Sequence, residues 1–287
     1  MSLNGPPPTA DSLLLLLRLI DDETPEVRDS VSSALEAFGG DVSELLSQGS
    51  LRPSAQELAI LAELLHPSRR ERLRKEWVVP AGGVTAFGED WDSLEALLRI
   101  LSDFLHDGVS LRQPLGDALD LLAEDVEPAF VQDGCAGLCK ALLGGGRLVA
   151  DRKGEMDPKL LDLAAVIAGS PSNSFGLGMI LLLVAQRLDA ALIGVSLPGA
   201  FFCRYESEQG QILLDPSLGG KPVDPAEFTH RIRRYPREIR MLAGRAVVPG
   251  ELLLRTTEEL ATAFAVMNLT DDAELMEDLV DSLLPNS

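Results

Sequence analysis

The 287-residue chain is short of several things, and each shortage removes a class of function. Basic residues are scarce: 25 Lys and Arg against 45 Asp and Glu leave a net charge of −20 and an isoelectric point near 4.5. Nucleic acid and anionic membrane call for a basic surface, so neither is expected as the main partner. Aromatic residues are 5% of the chain, too few to favour stacking on bases or sugars. Cysteine occurs three times, an odd number that fits a reducing compartment and no disulfide framework. No apolar run approaches the ~20 residues of a membrane span; the longest, Met179–Ala185, lies between Gly178 and Gln186. No basic stretch precedes Leu13–Leu17, so a signal peptide is not expected. These shortages together predict a soluble, cytoplasmic protein of bacterial type.

What is present reads as a globular protein, with 46% hydrophobic and 24% charged residues. Residues 1–10 (MSLNGPPPTA) have no periodicity and predict a disordered leader. Asp11 or Ser12 is placed to cap a first helix. Pro25 starts a second, with Val27, Val31, Ala34, Leu35 and Phe38 on one face, and Gly39-Gly40 stops it. Ser54–Trp77 continues the helical pattern, with a break expected at His66-Pro67-Ser68. Its Arg69–Lys75 stretch, holding five basic residues, reads as a solvated face. After a Gly- and Pro-rich loop over 78–92, helices are expected at Ser93–His106, Pro114–Leu122, Pro128–Leu143 and Pro158–Ala168.

The texture then changes. Asn173–Leu188 is apolar nearly all round and predicts a helix buried in the middle of a domain. Three β-like runs follow: Ala191–Leu197, Phe201–Tyr205 and Ile212–Leu214, separated by Pro198-Gly199 and Gln209-Gly210 turns. A helix starts near Asp224-Pro225, and Glu251–Met267 and Asp271–Leu284 close the chain. The expected fold is α+β: mostly helical, a central buried helix packed on a small antiparallel sheet, with helical flanks. The regions read as 11–80 helical, 85–240 core and 241–287 a helical tail.

The order of buried helix, strand and strand is where a cysteine nucleophile, a histidine and an acid stand in one class of hydrolases and transferases. The runs Leu181–Ala190 (LLLVAQRLDA), Ile193–Tyr205 (IGVSLPGAFFCRY) and Leu213–Val223 (LLDPSLGGKPV) resemble the transglutaminase-like superfamily, specifically its SirB-type group. The stretch TTEELATAF through LLP is similar to that group's C-terminal helical tail, and the DDETPEVR turn resembles a HEAT-type repeat. The resemblance implies a transglutaminase/papain-like core. Its pattern P-G-H-F has Ala200 in place of the histidine, its nucleophile position falls near Ser174, and only its acid, Asp215, is kept. An alanine can accept no proton, and a serine without a base is a weak nucleophile.

Substitutes are few. His230 stands beside Arg231, Arg233 and Arg234 and reads as a surface residue; His66 and His106 read as helix-end residues. Cys203 reads as a buried strand thiol, and Cys135-x-x-x-Cys139 as core, since no second Cys/His pair follows at zinc spacing. Gly144-Gly145-Gly146 lacks the Lys-Ser/Thr of a phosphate loop, and Gly176-x-Gly178 reads as an allowance for close helix–sheet approach. No cofactor and no metal are expected. The predicted function is that of a catalytically inactive transglutaminase-like protein acting through protein contacts, with a partner segment of basic character. The alternatives are a cysteine- or serine-dependent hydrolase or acyl transferase with a rearranged site, using Cys203 or Ser174 with His230 or His106, and a purely structural helical scaffold with no cleft.

Overall fold

Thr9 opens the first helix, two residues ahead of the expected cap: its hydroxyl accepts from the Ser12 N–H at 3.2 Å, and Ser12 Oγ accepts from the Thr9 N–H at 2.9 Å. The computed structural model describes residues 9–20, 22, 24–48, 52–154, 156–208 and 210–284. The first eight residues of the expected leader, and Gln209 of the last hairpin turn, lie outside the described residues. The chain divides into two units, the first running to Val78 and including Asp103–Arg112, the second comprising the rest.

In the first unit, helices α1 (Ala10–Leu17), α2 (Pro25–Glu36), α3 (Ser43–Gln48) and α4 (Ala55–Glu76) bury Leu13, Leu17, Val31, Leu35, Leu46, Leu61 and Leu65 in one apolar cluster. The break expected at Pro67 does not occur; α4 runs through it. Proline removes one intrahelical hydrogen bond, and the buried stripe Leu61, Leu65, Arg69 and Leu73 on one face outweighs that loss. His66 is therefore inside a helix rather than at its end, with its ring stacked on Phe104 at 5.4 Å. Arg69 departs from the solvated face expected of its cluster. It is 7% exposed and donates to the carbonyls of Gly40, Asp107 and Ala62, and it pairs with His66 Nδ1 at 3.2 Å. Carbonyl oxygens from three segments suit a planar cation whose donors point in several directions.

The second unit opens with a 3₁₀ turn (Gly83–Ala86) and α5 (Trp91–Leu105), whose last three residues fall in the first unit. Helix α6 (Leu115–Cys139) joins two stretches expected to be separate; Pro128 is accommodated inside it, and the bend comes instead at Gly134, with φ 60° and ψ −146°. A π turn at Lys140–Gly144 ends it at the expected glycines. A parallel pair too short to be read from sequence follows: β1 (Val149–Ala150) against β2 (Pro171–Ser172). Between them the helix expected over Pro158–Ala168 is split at Asp162, a 3₁₀ turn (Pro158–Leu161) before it and α7 (Leu163–Ile167) after it. Asp162 is the reason: its buried carboxylate accepts from Ser102 Oγ at 2.5 Å and caps α7 through the Ala165 N–H.

Helix α8 (Ser174–Arg187) buries every side chain from Phe175 to Ala185, as its all-round apolar sequence demands. It lies on a three-stranded antiparallel sheet, β3 (Leu192–Leu197), β4 (Ala200–Ser207) and β5 (Gly210–Leu214), in the order β3-β4-β5 with Leu197 opposite Ala200 and Cys203 opposite Leu214. Glycines set the approach. A Cβ on Gly178 would fall on the Phe201 ring, and one on Gly194 would lie 2.7 Å from Val247 and 2.8 Å from Phe201. The other sheet face carries Val195, Leu197, Ala200 and Phe202, covered by Phe228 and Ile232 of α9 (Pro225–Ile232) and by Ile239 and Leu242 of α10 (Arg237–Leu242). Helices α11 (Pro249–Val266) and α12 (Thr270–Leu283) pack as an antiparallel pair. No helix of the described residues is long and apolar enough to cross a membrane.

Candidate functional site: the head of the central helix

The N-terminus of α8 is where the sequence places a nucleophile, and Asn173 builds it. Its Oδ1 accepts from the Gly176 N–H at 2.8 Å, capping the helix and leaving Ser174 as the first helical residue, partly exposed. Among the described residues no hydrogen bond reaches the Ser174 hydroxyl from a base. Ala200 begins β4, 4% exposed, its methyl with Leu197 and Phe202 in the cluster under α9 and α10. Strand alternation puts its neighbours Phe201 and Cys203 on the α8 face instead. Asp215 follows β5 and is spent locally: its Oδ1 accepts from the Ser217 N–H at 2.9 Å and Oγ at 2.6 Å, the turn use expected of a D-P-S step. No hydrogen bond joins these three positions among the described residues, and Ala200 stands on the sheet face turned from α8.

A residue that the sequence reading passed over reaches the Ala200 carbonyl and the ring of Phe175, next to Ser174. Arg255 of α11 donates Nη1 to Ser196 Oγ at 2.8 Å, to the Ala200 carbonyl at 3.1 Å and to the Leu197 carbonyl at 3.3 Å. Its Nε donates to Glu259 Oε1 at 2.8 Å, and its guanidinium carbon lies 4.5 Å from the centre of the Phe175 ring. Glu259 Oε2 in turn accepts from Asn173 Nδ2 at 3.2 Å. The helix dipole that would favour a thiolate at the head of α8 therefore faces a carboxylate already, supplied by α11 and held by an arginine. The one sequence signal was the i,i+4 Arg-Glu spacing on a helix.

Two adjoining clefts flank this clamp, of about 460 Å³ and about 380 Å³. They share Gly199, Arg255, Glu258 and Glu259. One continues past Leu197, Leu254 and Val247, the other past Ser174, Phe175, Leu160 and Met156. A scaffold without a cleft is thereby corrected: an apolar-walled depression with Glu258 on its rim opens at the helix head.

The groups a rearranged site would need stand elsewhere. Cys203 is fully buried, and burial pushes its thiol well above the usual range, with Cys139 and Asp215 adding to the effect. Cys139 is likewise pushed up by burial, to about 12. His230 is exposed on α9 and pairs with Arg234 at 3.3 Å. His66 and His106 belong to the first unit, where His106 Nε2 meets the Ser110 carbonyl at 2.7 Å. Among the described residues no group of three or more His, Cys, Asp or Glu side chains is placed to hold a metal ion.

The raised thiol has a consequence for stability. An unfolded cysteine ionises near 9, whereas folded Cys139 stays neutral to about 12, so its contribution is complete below pH 9 and is lost as pH rises from there. Between pH 9 and 10 the loss from this thiol is about 1 kcal/mol. Urea midpoints at the two pH values check it: Cys139→Ala is expected to show the smaller decline.

Residues 113–260, just over half of the chain, match the transglutaminase-like superfamily. A UPF0162 protein of Xylella fastidiosa strain 9a5c is 31% identical over 136 residues, which is 45% of this chain and 48% of that protein. UPF0162 protein PA3419 of Pseudomonas aeruginosa is 29% identical over 107 residues, 37% of this chain and 39% of that protein. The chain spans about half the length, or less, of these curated relatives. No solved structure gives a significant match. With the buried helix, the three-stranded sheet and the match over 113–260 in agreement, the chain belongs to the transglutaminase-like superfamily.

Proposed function

We propose that this is a catalytically inactive member of the superfamily, of the SirB-type group, whose cleft receives a segment of a partner protein. The observation that carries the proposal is Arg255. Its guanidinium is committed to Ser196, Leu197, Ala200 and Glu259 where acid–base chemistry at Ser174 would need a free imidazole. Among the described residues no hydrogen bond joins the Ser174 hydroxyl to a base, and a serine without one is a weak nucleophile. The helical first unit, with its HEAT-like turn, belongs to the same reading as a module for protein contacts. So does Glu258, a carboxylate lining both clefts, which suits a basic side chain on the incoming segment.

The test is hydrolysis of an activated ester and of a peptide amide by the wild-type chain and by Ser174→Ala. Equal rates in the two, at the background of buffer plus an inert protein, are expected. A wild-type rate about a hundredfold above Ser174→Ala, the scale of one general base, would overturn the proposal.

A further inference from the structure

The acid excess of the chain is not spread evenly. From Lys221 to Arg245 stand seven Lys or Arg (221, 231, 233, 234, 237, 240 and 245) against three acids (224, 227 and 238), a local charge of +4 in a chain of −20. This stretch forms α9 and α10, and no residue of either helix is buried. Phe228, Ile232, Ile239 and Leu242 pack partly buried against the outer sheet face, so the arginines of the same helices are turned to solvent.

Three of these arginines differ from the rest. Arg231 lies over the Phe202 ring at 5.4 Å, Arg234 pairs with His230, and Arg245 is held by Glu251 at 2.5 Å. Arg233, Arg237 and Arg240 are exposed and take no carboxylate among the described residues. Elsewhere arginines 72, 74, 112, 147, 187 and 255 each engage one, while the exposed Arg28, Arg99 and Arg152 likewise take none among the described residues but stand far apart in the chain, so it is the clustering of Arg233, Arg237 and Arg240 that sets them apart. None of the three lines either cleft.

We infer that Arg233, Arg237 and Arg240, at the end of α9 and on α10, form a docking surface for an acidic polypeptide segment through side chains that line neither cleft. The guanidinium fork binds a carboxylate through two parallel hydrogen bonds, a geometry that ammonium groups do not offer. The patch is short: helices of eight and six residues span about 12 and 9 Å. That length fits a brief run of Asp or Glu. A nucleic-acid strand carries its charge beyond the patch and meets the repulsion of the remaining acidic surface, which reaches about 8 Å at physiological salt.

A fluorescein-labelled oligoglutamate peptide, titrated with the full chain at low salt and followed by fluorescence anisotropy, tests this surface. Saturable binding is expected, weakened at least about tenfold in the triple variant Arg233→Gln/Arg237→Gln/Arg240→Gln. The control triple Arg28→Gln/Lys75→Gln/Lys153→Gln, with the same net charge, is expected to stay within about twofold of wild type. Thermal melts by circular dichroism accompany each variant, and Arg237→Gln alone serves as a single-site check. Absence of binding, an equal loss in both triple variants, or tighter arginine-dependent binding of a single-stranded oligonucleotide of the same charge would each overturn the inference.

Discussion

Arg255→Ala is expected to destabilise the second unit by about 3 kcal/mol, read as a lowered urea midpoint with the slope unchanged. Its side chain is 16% exposed and makes four directional contacts to β3, β4 and Glu259, besides lying on Phe175. Removing the guanidinium leaves the Ala200 and Leu197 carbonyls short of a donor and Glu259 without its cation. The partner left behind accounts for part of the cost, so Arg255→Ala/Glu259→Ala is expected to lose less than the sum of the two single variants. A midpoint within error of wild type would mean that the clamp is a surface pair of negligible worth.

Gly178→Val has a comparable effect by the opposite route, adding atoms where there is no room. The Phe201 ring occupies the place of the new Cβ, and Phe175, at 5.3 Å between ring centres, together with the close approach at Gly194 prevents it from moving away. Overpacking of this kind costs about 3 kcal/mol when the neighbour cannot turn. Gly199→Ala is the contrast: no atom lies within 4 Å of its added Cβ, and only the backbone, at φ 68°, resists, so a cost of about 1 kcal/mol is expected. Thermal unfolding of the two variants separates these causes.

Local rules read the sequence well where one physical requirement dominated. Eleven successive apolar positions in Phe175–Ala185 leave a helix no choice but burial, and Pro198-Gly199 is a turn in any context. They misjudged segments in which distant contacts overrode a local preference. Pro67 and Pro128 stay inside α4 and α6 because buried stripes hold those helices together. Arg69 is buried by carbonyls from segments 29 and 38 residues away, a circumstance no charge pattern reveals. The site divided in the same way. Ser174, Ala200 and Asp215 could be placed by resemblance, but Arg255 stands 55 residues beyond Ala200 in a helix that reads as a tail. Its role depends on a hairpin and a helix meeting, which spacing alone does not encode.

The geometry at the head of α8 gives the account its central claim. A helix end suited to an activated nucleophile is present, yet the anion beside it is Glu259 and the cation is Arg255, and both side chains are engaged. Binding of a partner segment along the two flanking clefts requires neither a nucleophile nor a base, and their apolar walls are intact. The most direct measurement is the intact mass of the native chain after incubation with an acylating probe that traps serine and cysteine nucleophiles, followed by peptide mapping. The account predicts no adduct at Ser174 or Cys203. Stoichiometric modification of either residue in the folded protein, lost on denaturation, would contradict it.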